Sequence, residues 1–464
     1  MSSELRKLWE HAGGAIPGDW KIVPLESLLK TNKSITVGVM YPGADTPDGI
    51  PLIRVGDIKD GVIPAKPSYS ISIETNEEYK RTQLQGDELL ITLVGNPGEC
   101  VVVKPQMAGW NAARAIAVIR LQDTTLRVYL KTVLESAAGK HLIDAVLNTT
   151  VQKTLNLKDI KQLPIPMPPK GAVEAISSFS GAITNRIALL RETNATLEAI
   201  AQALFKSWFV DFDPVHAKQQ GIAPEGMDEA TAALFPDGFE ELELGLVPRG
   251  WKVGTMDDVS VVGIGKTPPR KESHWFSENP KDVRWVSIRD MGISGAFISS
   301  TSEYLTTESI QRFNVRQVPN NTVLLSFKMT IGRVAITDGE MTTNEAIAHF
   351  KLEEQSPLTS ELIYLHLKQF DYTRLSSTSS IADAVNSKTV KSIPILVPNA
   401  TIVLAFQNAI SPIFAKIKLI QHQAQTLASL RDTLLPRLIS GQLRLPEAEA
   451  ALEGAKNVAT AIGQ

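Results

Sequence analysis

The sequence predicts an α+β protein of two similar globular modules, each a twisted β-sheet with helices, joined by two long antiparallel coiled-coil helices in a pseudo-two-fold arrangement. Three observations predict it: a long internal repeat, alternating strand and turn patterns within each copy, and a heptad stripe closing each copy.

The repeat opens with Pro17-Gly18-Asp19-Trp20-Lys21-Ile22 and returns about 230 residues later as Pro248-Arg249-Gly250-Trp251-Lys252-Val253, a period of one domain plus a helix. In the same order in both copies follow an apolar strand ending in aspartate (Leu52 to Asp57; Trp285 to Asp290) and a second apolar strand with a glycine (Leu89 to Gly98; Val323 to Gly332). Asn111 is then echoed by Asn344, and Tyr129-Leu130 by Tyr364-Leu365. Last, Lys158-x-Ile160-Lys161-x-Leu163-Pro164-Ile165 is echoed by Lys388-x-Val390-Lys391-x-Ile393-Pro394-Ile395.

Within the first copy, β-rich runs (Leu89 to Leu93, Val101 to Val103, Ala115 to Leu121) alternate with turn clusters such as Tyr41-Pro42-Gly43 and Thr46-Pro47-Asp48-Gly49. Pro164 to Pro169 reads as a stiff extended connector, because proline fixes φ and biases its predecessor away from helix. From Ala172 a heptad seam begins: Ile183, Ile187, Leu190, Asn194, Leu197, Ala201, Leu204 and Trp208 alternate spacings of four and three. Ile410, Phe414, Ile417, Gln421 and Ala424 repeat it, with Leu427, Leu434 and Leu438 beyond. An amide, Asn194 or Gln421, takes the fourth place in each. The pairs Thr196-Leu197 and Thr426-Leu427 fall out of step with the earlier alignment, which implies a stammer-like insertion in the second helix. Either stripe alone would fit a helix covering its own domain's core; two in corresponding places point to pairing with each other. The expected divisions are 1–169 for the first module, 170–212 for its helix, 213–245 for an acidic linker, 246–398 for the second module, 399–445 for its helix and 446–464 for a tail.

Length and composition fit this plan. The chain has 464 residues, 43% of them apolar, enough for two or three cores, and no apolar run approaches membrane-spanning length. Met1 to Arg6 lack an export pattern and Cys100 is the sole cysteine, so a reducing cytoplasm is expected. The net charge of -3 argues against a nucleic-acid partner until its distribution is considered. Asp211 to Gly245 hold nine carboxylates against Lys218 alone, which leaves the remainder at about +5.

Candidate chemistry fails on inspection. Gly265-Lys266-Thr267 resembles the end of a phosphate-binding loop, but Ser260 stands where the first glycine belongs and prolines follow instead of a helix. Pro47-Asp48 with Asp57-Ile58-Lys59 imitates a metal-dependent nuclease pattern, yet its repeat Asp290-Met291-Gly292 has no lysine, and a turn-capping aspartate is ordinary at a strand end. Asp213-Pro214-Val215-His216 lacks the second proline and the aromatic of an amino-methyltransferase loop. The seven histidines and one cysteine show no metal-ligand spacing.

Taken in order, these segments resemble the specificity subunit of type I restriction-modification systems. The resemblance rests on Ile50-Pro51-Leu52-Ile53-Arg54-Val55-Gly56-Asp57-Ile58, on Gly265-Lys266-Thr267-Pro268 leading through His274-Trp275-Phe276 to Val283-Arg284-Trp285-Val286-Ser287-Ile288-Arg289-Asp290, and on the helix ends Leu204 to Pro214 and Thr433 to Leu443. It implies two target recognition domains, each reading half of a bipartite asymmetric DNA site, and spacer helices that set the gap and dock two modification subunits. It also implies a non-catalytic, cytoplasmic chain that binds no cofactor. S-adenosylmethionine, ATP and Mg²⁺ would serve the modification and restriction subunits. The alternatives are a scaffold without DNA contact and a self-contained methyltransferase or nuclease. Because base edges and phosphates are met by Arg, Lys, Asn, Gln, Ser and Thr on loops, the expected DNA-binding residues are Lys59, Asn96, Trp110, Asn111 and Arg114 in the first module. Those of the second are Lys266, Thr267, Arg270, Lys271, Lys328, Thr330, Arg333 and Asn344.

Overall fold

The computed structural model describes residues 2–59, 61–63, 66–147, 153–243, 245–375, 385–444, 446–448 and 450; most of the expected 446–464 tail lies outside the described residues. It divides into two compact units, Met1–Glu192 with His422–Gln464 and Thr193–Gln421. The boundary falls inside each of two 40-residue helices, Lys170–Phe209 and Ala400–Ile439. These end earlier than the 170–212 and 399–445 expected.

In the first unit, Ile35–Val37, Ile116–Ile119, Leu89–Thr92 and Cys100–Val102 form a four-stranded antiparallel sheet in that order. A second sheet holds Ser70–Ile71, Ile50–Ile53 and Asn111–Ala112, the last two parallel. The second unit repeats both patterns. Val261–Ile264, Ile347–Lys351, Val323–Ser326 and Val334–Thr337 match the first sheet, extended by Phe297–Ile298. Val283–Val286 runs parallel with Thr342–Thr343 in the second. The apolar run after Leu52 stops being a strand at Ile53. Asp57 sits on a 3-10 turn and accepts the Arg54 N–H at 2.8 Å, as Asp290 accepts that of Ser287 at 2.8 Å. These aspartates hold a turn, and among the described residues no group of His, Cys, Asp or Glu could hold a metal ion.

Each module is closed by pairing its own ends. Lys21–Pro24 lies antiparallel to Pro164–Met167, and Lys252–Thr255 to Pro394–Val397. The proline-rich stretch expected to be a connector is therefore a strand, tolerated because a two-stranded pair has free edges where a missing N–H is harmless.

Side chains also cover a strand edge in each unit, where unpaired backbone groups would otherwise invite association. Glu135 Oε1 accepts the Cys100 N–H at 3.0 Å, while Lys131 Nζ donates to the Cys100 carbonyl at 2.6 Å. In the second unit the Gln421 amide does both tasks for Phe297, accepting from its N–H at 3.0 Å and donating to its carbonyl at 2.9 Å. This corrects the expected seam: Gln421 faces the sheet edge, and buried Ile420 takes the seam position between Ile417 and Ala424. Likewise Leu204 is half-buried and Phe205 is the residue that packs inward; Asn194 and Leu197 are half-buried. Cys100 itself is fully buried, and burial pushes its thiol pKa far up.

Within the second unit the helix segments run antiparallel. Asn194 Nδ2 donates to the Ile417 carbonyl at 3.2 Å, and further along Phe406 meets Phe205, Trp208 and Phe209 at ring distances of 6.3, 5.3 and 4.7 Å. By composition Ala400–Ile439 is long and apolar enough to cross a membrane, with an 18-residue window of mean hydropathy 1.4, which corrects the absence of such a run expected above. Its apolar residues nonetheless recur at three- and four-residue spacing and are buried at Ile402, Phe406, Ile410, Phe414 and Ile417, the pattern of a helix covering a core. The linker expected at 213–245 carries helices Asp213–Gln219 and Glu229–Ala233 and a strand, Phe239–Leu242, paired with Gly245–Pro248.

Phe406 is fully buried against three aromatic rings, so Phe406→Ala should cost about 3–5 kcal/mol of stability. Urea unfolding followed by tryptophan fluorescence will register it as a lower midpoint; an unchanged midpoint would mean that this cluster contributes little.

Candidate nucleic-acid interface

The parallel strand pair of each module leads into a turn on which two loops dock. Ala113 N–H donates to Ile53 O at 2.8 Å, and Asn344 N–H to Val286 O at 3.1 Å. The loop after the first sheet strand docks beside it: Val39 N–H donates to Ala112 O at 2.7 Å and Lys266 N–H to Thr343 O at 2.9 Å. A glycine is required just before, since a Cβ would fall 2.0 Å from Ala112 O at Gly38 and 2.1 Å from Asn344 O at Gly265. These bonds fix the true correspondence: Asn344 matches Ala113, not Asn111. The sequence echo between the two asparagines is two residues out of register.

A second loop joins the same edge through Leu93 N–H to Ala115 O at 2.8 Å and Phe327 N–H to Ala346 O at 2.9 Å. Both copies pin it with the hydroxyl that ends the preceding strand. Thr92 Oγ1 donates to the Asn96 carbonyl and accepts the Glu99 N–H at 3.0 Å; Ser326 Oγ donates to Thr330 O at 2.6 Å and accepts the Arg333 N–H at 3.0 Å. The pinned loop needs left-handed backbone at matching places, Gly95 (φ 85°) and Met329 (φ 60°), then Gly98 (94°) and Gly332 (90°). At Met329 that conformation costs about 1–2 kcal/mol that a glycine would not incur.

The expected residues divide on this frame. Lys59, Asn96 and Arg114 are exposed in the first module, as are Lys266, Arg270, Lys271, Lys328 and Thr330 in the second. The side chains of Lys59, Arg114, Lys266 and Lys271 make no hydrogen bond or ion pair among the described residues, which leaves them available for phosphates. Lys328 rests over the Phe327 ring, 5.5 Å away. Asn96 donates to Glu99 Oε2 at 3.2 Å, and Glu99 Oε1 accepts the Gly61 N–H at 2.8 Å, so the Asn96 and Lys59 loops adjoin.

Others have structural duties. Asn111 is fully buried, donating to Asn76 Oδ1 at 2.9 Å and accepting the Ala112 N–H at 3.0 Å; it cannot face DNA. Trp110 is half-buried against the cluster of Ile53, Leu84 and Met107. Arg333 is half-buried and donates to Ile288 O at 2.6 Å. Asn344 is half-buried, its Oδ1 accepting the Ala346 N–H at 3.0 Å. Thr267 bonds Glu345 through its hydroxyl. Arg270 forms a two-pronged pair with Glu303 at 2.7 and 2.9 Å and lies over the Phe276 and Trp285 rings at 4.1 and 4.6 Å. Two exposed apolar residues were not foreseen: Tyr41, 76% exposed on the loop that follows Gly38, and Met329, 86% exposed. Only the Tyr41-Pro42-Gly43 turn cluster hinted at the first.

Beneath the second edge His349 is buried, its Nε2 2.5 Å from Thr343 Oγ1; burial, with Arg316 adding to it, pushes its pKa down to about 4. The edge offers donors and unpaired cations, the equipment for binding phosphates and base edges.

A family model described as Type I restriction modification DNA specificity domain matches residues 17–199 and again 248–430. The chain is 28% identical over 358 residues to the HindI specificity subunit of Haemophilus influenzae, spanning 68% of this chain and 74% of that one. It is 22% identical over 451 residues to the MjaIX specificity subunit of Methanocaldococcus jannaschii, spanning 94% and 96%. Among solved structures, the type I S subunit of M. genitalium shares 15% identity with a TM-score of 0.48, covering 90% of this chain and 96% of that one.

Two residues near one edge should separate structure from contact. Asn111→Ala should lower stability by about 1–3 kcal/mol by stranding buried partners. Arg114→Ala should leave the urea midpoint in place while making the salt dependence of DNA binding shallower by about one unit. The reverse pattern would exchange their roles. A third expectation concerns pH. His349 stays neutral in the fold down to about 4, whereas the unfolded chain takes up its proton near 6.5, so its contribution is complete above pH 6.5 and is lost as pH falls towards 4. Urea midpoints measured across this window should decline. His349→Gln should flatten part of the decline, leaving the share of His366, also pushed down to about 4.

Proposed function

The chain belongs to the type I restriction modification DNA specificity family, a family of sequence-specific DNA recognition, and we propose from that premise that each of its modules reads one half of a bipartite asymmetric duplex site. What carries the reading is duplication of the edge itself: the same turn, docked loop and hydroxyl-pinned loop occur twice, with different side chains on them. A shared scaffold with divergent loops suits the reading of two unlike half-sites. Exposed Lys59 and Arg114, and in the second module Lys266, Lys271 and Lys328, would neutralise phosphates, while Asn96 and Thr330 offer polar groups for base edges.

In this reading the chain works without an active site of its own, in the cytoplasm, beside two modification subunits and the restriction subunits. S-adenosylmethionine, ATP and Mg²⁺ belong to those partners. The two 40-residue helices, each about 60 Å long, set the non-specific gap between half-sites and dock the modification subunits. Methylation by the purified chain alone would instead favour a self-contained enzyme, and a complete complex without sequence preference would favour a scaffold.

Mapping methylated adenines in DNA from cells carrying the complete system tests the proposal. The expected pattern is two short half-sites with a fixed gap of about six to eight base pairs, roughly one helical turn between half-site centres. Inserting four residues after Ala199 adds about 6 Å of helix and nearly keeps the heptad register, so it should widen the gap and leave both half-sites unchanged. The old gap with altered half-site bases would refute the ruler role.

A further inference from the structure

We infer that Met329 is a wedge that enters the duplex at one base step of the half-site read by the second module, an inference that rests on the DNA-reading role proposed above. Two independent observations meet at this residue. The first is conformational. Its loop demands left-handed backbone at this place, and the matching loop of the first module satisfies the demand with Gly95, which fits without strain. Methionine at φ 60° is a poor choice for folding, and strain kept at an exposed position points to a use for the side chain. The second is exposure. Met329 is 86% exposed, and no other large apolar side chain in the described residues is more so.

The surroundings suit a wedge. The loop is too firmly held to yield when pressed against stacked bases: Ser326 Oγ pins Thr330 O at 2.6 Å and the Arg333 N–H at 3.0 Å, Thr330 N–H donates to Lys328 O at 2.7 Å, and Gly332 N–H donates to Ser326 O at 3.0 Å. Gly332 also seats against the Tyr372 ring, where a Cβ would come within 3.1 Å. Exposed Lys328 and Thr330 flank the tip, a cation placed to hold a phosphate on one side of the step and a hydroxyl within reach of a base edge on the other. Apolar side chains inserted between base pairs partly unstack them and bend the duplex, which gives sequence preference for easily unstacked pyrimidine–purine steps without a hydrogen bond to any base. The first module, with Gly95 at the same place, has no wedge on this loop.

The test uses the chain assembled with its modification subunits and a duplex of the mapped site, with 2-aminopurine placed in turn along the second module's half-site, away from the methylated adenine. Fluorescence should rise at one step in the wild-type complex. Met329→Gly should abolish the rise and weaken binding about tenfold, the scale of one lost base-step contact, with a thermal midpoint no lower than wild type; Met329→Leu should keep both. A silent wild-type complex that still prefers its site, or a Met329→Gly variant that keeps the rise and the affinity, overturns the wedge while leaving DNA reading intact. A wild-type complex with no preference for any duplex removes both.

Discussion

Pairing the two ends of each module into one short antiparallel ribbon is the constraint from which the rest follows. Lys21–Pro24 against Pro164–Met167, and Lys252–Thr255 against Pro394–Val397, bring entry and exit of each module side by side. Everything between them, both sheets and all the loops of the edge, is thereby an insertion on a closed stem, and each long helix starts directly from the stem's second strand. The stem needs little sequence identity, because backbone hydrogen bonds make it and prolines are harmless on its free edges. Loops far from it can then vary without disturbing the path of the chain.

The edges of the larger sheets show how two copies of one fold reach the same end by different chemistry. The first unit closes its edge with an ion pair, Lys131 and Glu135 bracketing the two backbone groups of Cys100; the second uses the amide of Gln421 on Phe297. Gly295 is part of that arrangement, since a Cβ there would press on the Gln421 side chain at 2.9 Å. Asn194 differs again. Its Nδ2 reaches the Ile417 carbonyl while its buried Oδ1 has no partner among the described residues, a polar cost of the kind that fixes register between helices.

Repetition made the architecture legible from residues alone: paired Trp-Lys-aliphatic starts, heptad stripes and proline-flanked ends each survive in local pattern. What escaped depends on partners distant in sequence. Gln421 looked like a seam residue because its spacing fits, and its true partner lies 124 residues away. Asn111 and Asn344 looked equivalent because both are asparagine, whereas the backbone bonds of the turns pair Asn344 with Ala113. Among the expected contact residues, residue type alone could not separate exposed Lys59 and Arg114 from Arg333, whose guanidinium is spent on a carbonyl, or from Arg270, locked to Glu303 between aromatic faces. Met329 carries neither a charge nor a hydrogen-bonding group of the usual kind, so residue type gives no sign of its exposure.

The burial of Cys100 has a practical side. A thiol with no exposed surface and a pKa driven upward by its surroundings offers almost no thiolate to an alkylating reagent. As this is the only cysteine in the chain, the folded protein is chemically silent towards maleimides. A cysteine introduced at Tyr41 or on another exposed loop would be its sole labelling point, so fluorophores or spin labels could be attached one at a time and distances measured without first removing a native residue.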